Sequence, residues 1–132
     1  MQQLDQVYLE KAEQNLAAAQ SEFINGRYDS SASRSYYACF QAAIYALAGT
    51  GILASGGRWG HDFVQAQFNG ELVSRRKLYP ATLRGVLNET YTLRQQADYG
   101  TDRVNERRAA RAVARAEEFL EAIRPRPGGE SS

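Results

Sequence analysis

Apolar residues in this chain return at three- and four-residue steps, and each such run is closed by glycine, asparagine-glycine or proline. That spacing is the stripe of an amphipathic helix, and the breakers mark where each helix stops. Leu4, Tyr8, Ala12, Leu16, Ala19 and Phe23 predict a first helix from Leu4 to Ile24, ended by Asn25-Gly26, a pair that tolerates the left-handed backbone of a C-terminal cap. Asp29, Ser30 and Ser31 offer N-cap oxygens to a second helix, whose inward face reads Ala32, Tyr36, Cys39, Phe40, Ala43, Ile44 and Leu47. Its alanines let a neighbour approach closely, which predicts the central, most buried element. Gly49 and Gly51 end it, and Gly56, Gly57 and Gly60 punctuate a connection of about ten residues. A short helix from His61 to Phe68 is closed by Asn69-Gly70. A fourth segment runs from Pro80 to Ala97 with Leu83, Val86, Leu87 and Tyr91 on one face, and Gly100 follows it. The last helix, Val104 to Ile123, turns Ala109, Ala112, Val113, Ala116, Leu120 and Ile123 inward before Pro125 and Pro127 stop it. No alternating β-branched pattern persists. The expected fold is therefore all-α, an antiparallel up-and-down helical bundle of four long helices plus a short one over residues 1–124, with a disordered tail over 125–132.

A chain of 132 residues with 43% hydrophobic content makes one self-sufficient domain and excludes a multidomain enzyme. One cysteine and one histidine exclude an internal disulfide and a zinc site, so no metal and no cofactor is expected. No run reaches the ~20 apolar residues of a membrane span, and Asp5, Glu10 and Glu13 stand where a signal peptide would be basic, so a cytoplasmic protein without a membrane partner is expected. The net charge of +1 is polarised: up to Gly26 one lysine faces four acids, a balance of −3, whereas Arg58 to Arg115 holds eleven basic and six acidic residues, +5.

Arg94 is the informative side chain. At ~100° per residue it falls near the angular position of Leu83, Leu87 and Thr90, so it turns inward, where a cation needs a partner. Asp98 stands one turn on and Tyr99 follows. The plain interpretation is a structural clamp that fixes register, and it is the commoner use of an inward ion pair. His61 is the only side chain whose free pKa lies near neutrality, so histidine acid–base chemistry must run through it. A lone histidine at a helix start is more often a local hydrogen-bonding residue. Cys39, mid-helix on the buried face, is most simply a small hydrophobe. Arg107, Arg111 and Arg115 form a stripe with Arg108 beside them, and Arg75, Arg76 and Lys77 form a second basic run. Such stripes are usually solvated or paired with an acidic helix. Together Arg75, Arg76, Lys77, Arg107, Arg108 and Arg111 are candidates for a phosphate-binding surface.

Gly26-Arg27-Tyr28-Asp29, the run from Ser35 to Ala43, a histidine after a glycine-rich loop, the stretch Arg94 to Tyr99 and the final Ala116-Glu117-Glu118-Phe119-Leu120 together resemble the HEPN domain over Leu4 to Ile123. The likeness is greatest to a prokaryotic subgroup whose fourth long segment ends in Arg-x-x-Ala-Asp-Tyr. This resemblance implies a bundle that dimerises, often beside a minimal nucleotidyltransferase, and in many members a metal-independent ribonuclease or toxin. In catalytic members an arginine, four to six intervening residues and a histidine form the motif, and two copies meet at the dimer interface. Here the positions after Arg94 hold Tyr99, Gly100 and Thr101, so the usual motif is absent. A tyrosine is a poor base at neutral pH.

Three functions follow. The first is a dimeric module of a toxin–antitoxin or defence system, associated with RNA or a nucleotide and paired with a nucleotidyltransferase, with Arg94, Asp98 and Tyr99 at the interface. The second is an endoribonuclease toxin with a divergent site built on Arg94, Asp98, Tyr99 and His61. The third is a purely structural interaction domain. By analogy with related toxins, Tyr99 is a candidate for nucleotidyl modification.

Overall fold

The computed structural model describes residues 4–125. The tail expected beyond that point, residues 126–132, lies outside the described residues. The chain forms α1 (Leu4–Ile24), α2 (Tyr28–Gly49), a short α3 (His61–Gln67), α4 (Val86–Tyr99) and α5 (Glu106–Ile123), and no strand occurs among the described residues. Long helices alternate in direction. Glu13 meets Arg124 and Gln20 meets Glu117, so α1 and α5 run antiparallel. Tyr37 meets Arg94 and Cys39 meets Thr90, so α2 and α4 do too. The architecture is the expected all-α up-and-down bundle.

α2 is the hub and packs against α1, α3, α4 and α5. Ala32, Ala38, Cys39, Ala42, Ala43 and Leu47 are fully enclosed, and the alanines let the neighbouring backbones close in. The main core gathers Leu16, Ile44, Leu47, Val64, Phe68, Leu72, Leu87, Phe119 and Leu120, with the Phe68 and Phe119 rings 5.0 Å apart. Each such side chain contributes roughly 1.5–3 kcal/mol through the apolar area it removes from water. A second cluster of Ala32, Leu93, Val104, Ala109 and Ala112 closes the end where α4 turns into α5.

Four local expectations are corrected. Asp29 does not cap α2, whose N-cap is Arg27 with no side-chain hydrogen bond. Its carboxylate instead accepts from Val104 N at 2.8 Å and ties the α4–α5 connection to the start of α2. Ser31 Oγ reaches across to Ala19 O at 2.8 Å. Asn69-Gly70 does not end the short helix. The chain continues from Phe68 to Arg75 in wide π turns, because burying Leu72 and Val73 beside Phe68 outweighs the breaker. The segment after Pro80 is split: a 3₁₀ turn, Ala81–Leu83, is separated from α4, which starts only after Gly85. Finally, α5 begins at Glu106, because Asn105 accepts from Arg108 N at 2.8 Å as its N-cap; Val104 precedes the helix and is buried.

Candidate functional site

Arg94 stands on the α4 face that packs against α2, and its side chain is 18% exposed. One guanidinium nitrogen, Nη2, donates to Tyr37 Oη at 2.7 Å, and Nη1 donates to Gln95 Oε1 at 3.2 Å. Nε lies 2.9 Å from Asp98 Oδ2, the i+4 carboxylate, yet its N–H is buried without an aligned acceptor. Three rings surround the cation, with centroids 5.9, 5.3 and 5.6 Å from Cζ for Tyr36, Tyr37 and Tyr99. Burial works against the charge, but Tyr37 and Asp98 outweigh it and hold the guanidinium above its ordinary range.

Tyr36 continues the cluster away from Arg94. Its hydroxyl is 2.9 Å from His61 Nδ1, and burial holds the phenol well above its usual range, so it stays protonated. The Tyr91 ring, one turn before Arg94 on α4, stacks on the imidazole at 3.8 Å and 16°. Burial pulls His61 below its ordinary value, with Asp62 and Gln65 pulling the other way. Helices α2, α3 and α4 thus bring Tyr36, Tyr37, His61, Tyr91 and Arg94 into one continuous aromatic–cationic face. Such a face suits an anion with a planar or sugar portion, since the guanidinium offers charge and the rings offer stacking surface.

The sequence singled out Arg94, Asp98, Tyr99 and His61, and the fold gathers them around Tyr36 and Tyr37, which it had not. Tyr36 was readable only as an inward aromatic, and Tyr91 only as an apolar position three before Arg94. Tyr99, the last residue of α4, does not pack into the end of the bundle. It is 72% exposed, because the chain turns at Gly100 and leaves the ring outside.

The basic residues are not gathered there. Arg75 and Arg76 share Glu71, at 2.6 and 3.6 Å, and Lys77 takes a positive φ of 55° just beyond. Arg111 and Arg115 converge on Glu89 at 2.6 and 3.2 Å, and Arg108 donates to Gln96 at 2.6 Å. The stripe on α5, expected to be a solvated face or the mate of an acidic helix, is answered by Glu89 and Gln96 of α4. Arg107 is exposed. Cys39 is buried, its thiol pushed up to about 12 by desolvation. Among the described residues no cluster of histidine, cysteine and carboxylate could hold a metal, and no helix is long and apolar enough to cross a membrane.

Comparison with known proteins gives two findings. The HEPN domain matches residues 6–126. A Methanocaldococcus jannaschii protein described as a candidate toxin is 30% identical over 127 residues, which span 90% of this chain and 85% of that protein.

Proposed function

The chain belongs to the HEPN domain family, and on that premise we propose that it is the toxin-type module of a two-component system. It acts as a homodimer beside a minimal nucleotidyltransferase, in the Arg-x-x-Ala-Asp-Tyr manner, with the Arg94 face as its RNA- or nucleotide-binding surface. The toxin description of the archaeal relative supports the class. One observation carries the site: Arg94 is held from two sides by Tyr37 and Asp98 yet keeps a buried Nε–H with no aligned acceptor. An anion that satisfied that donor would gain a charge-assisted hydrogen bond at a cation already positioned. The exposed Tyr99 beside it is the residue proposed to take a nucleotidyl group from the partner enzyme.

Titrating short single-stranded RNA and ATP against the protein and Arg94→Ala tests this. Binding should fall at least tenfold in the variant while sedimentation still gives a dimer. Equal affinity would remove Arg94 from the surface, and a monomer at micromolar concentration would remove the dimer.

A second reading, a metal-independent endoribonuclease, has its own observation. His61 and Arg94, far apart in sequence, meet on the same Tyr36. In that chemistry the 2′-hydroxyl oxygen bonds to the adjacent phosphorus, its proton passes to a base, and the 5′-oxygen leaves and is reprotonated. His61 would move the proton, held in place by Tyr36 and Tyr91, while Arg94 would hold the charge building on phosphate. Cleavage in the presence of EDTA, lost in both Arg94→Ala and His61→Ala, would select this reading; intact RNA would retain the binding module.

A further inference from the structure

At the end of the bundle remote from Tyr99, α1, the end of α2 and the glycine-rich loop border an open pocket of about 520 Å³, lined by Asp5, Tyr8, Gly49, Leu53 and Trp59 among others. The volume is that of a pocket for a side chain or small ligand. Tyr8 and Trp59 meet edge to face at 6.3 Å, and Phe63 backs Trp59 at 6.2 Å, so the indole is held on two sides. Lys11 Nζ already lies 5.9 Å from the Tyr8 centroid, which leaves the indole as the free aromatic wall. Leu53 stands at the rim with 69% of its surface exposed. Gly51, Gly56 and Gly57 hold positive φ values of 90°, 66° and 75°, which shape the loop in a way side-chain-bearing residues resist.

Asp5 is the one charged residue in the lining. Its Oδ2 reaches over Gly49, where an added Cβ would lie 3.5 Å away, and its charge is felt by the Tyr45 phenol. Among the described residues no cation pairs with it. A carboxylate beside an indole wall selects a cation with an apolar body. The single carboxylate matches a single charge, which separates a guanidinium side chain from a polyamine carrying several.

We propose that this pocket is a docking site for an arginine side chain presented by a partner protein, with Asp5 taking the guanidinium, Trp59 stacking on its plane and Leu53 contacting the flanking chain. The site is separate from the Arg94 face and stands whether or not that face binds RNA.

Trp59 is the only tryptophan, so its emission reports directly on occupancy. Acetyl-Gly-Arg-Gly-amide should give a saturable emission change, confirmed by calorimetry. Affinity should fall roughly tenfold in Asp5→Asn and equally when citrulline replaces arginine in the peptide. RNA binding at the Arg94 face should be unchanged in Asp5→Asn. The proposal is overturned by the absence of saturation at millimolar peptide in both measurements, by equal binding of the citrulline peptide, or by undiminished binding to Asp5→Asn. Spermidine binding more tightly than the arginine peptide would also overturn it, in favour of a free polyamine.

Discussion

The Tyr36 hydroxyl lies 2.9 Å from His61 Nδ1, and the ring that bears it also carries Arg94 on its face. One phenol therefore joins the only histidine to the inward arginine. Because burial keeps that phenol protonated, the hydrogen bond persists across neutral pH and fixes the imidazole plane against Tyr91.

His61 should make stability depend on pH. Its pKa is lowered on folding, chiefly by desolvation, so the folded state favours the neutral ring and the unfolded chain binds more protons. The contribution is complete above the unfolded value near 6.5 and is lost as pH falls through the folded one. Urea midpoints measured from pH 7.5 to 5.5 should decline in the parent and decline less in His61→Gln. Identical slopes would show that the imidazole does not titrate with folding.

Arg94 should be intolerant of lysine. The guanidinium fork reaches Tyr37 and Asp98 at once, whereas an ammonium on a flexible stem reaches one. Arg94→Ala and Arg94→Lys should each cost about 1–2 kcal/mol of stability, discounted for partial exposure, and Asp98→Asn less because Tyr37 keeps its contact. Denaturant unfolding checks the order, and a lysine variant as stable as the parent would mean that the fork is not what holds the helices.

Helix positions were readable because periodicity is a local property: α1, the inward face of α2 and the apolar stripe of α5 follow directly from three- and four-residue spacing. Arg94 was readable on the same grounds. What spacing does not carry is the pairing between helices. Asp29 looked like a cap but is used by Val104, and Glu89, which no local pattern singled out, serves two arginines of α5. Tyr36 belongs to the site only because α3 returns His61 to α2, a long-range consequence of where Val64 and Phe68 are buried. The same burial carried the chain through Asn69-Gly70, where a local breaker lost to tertiary packing.

Two glycines should respond oppositely to alanine. Gly70 lies inside a helical segment with no atom within 4 Å of an added Cβ and without a positive φ, so Gly70→Ala should stabilise by about 0.5–1 kcal/mol. Gly26 is equally open but sits at φ +78°, so Gly26→Ala should destabilise by about 1 kcal/mol through backbone strain alone. Thermal melts of the pair separate conformation from packing, and a shift of the same sign in both would contradict it.

Glu89 should act as an electrostatic brake on the α5 stripe. Its carboxylate takes Arg111 at 2.6 Å and Arg115 at 3.2 Å, and Arg111, with a side chain 68% exposed, is the one within reach of a phosphate. Arg115 keeps Glu118 at 2.8 Å, so Glu89→Gln should cost less than about 1 kcal/mol of stability. The charge it releases should be visible to RNA. Affinity for a single strand should rise at low salt, and the slope of log affinity against log salt should steepen by about 0.7 for each phosphate newly contacted. Arg111→Gln in the same background should reverse the change. An unaltered slope in Glu89→Gln would show that the stripe never meets phosphate, leaving Arg108 and Arg111 as residues whose function is to hold α5 against α4.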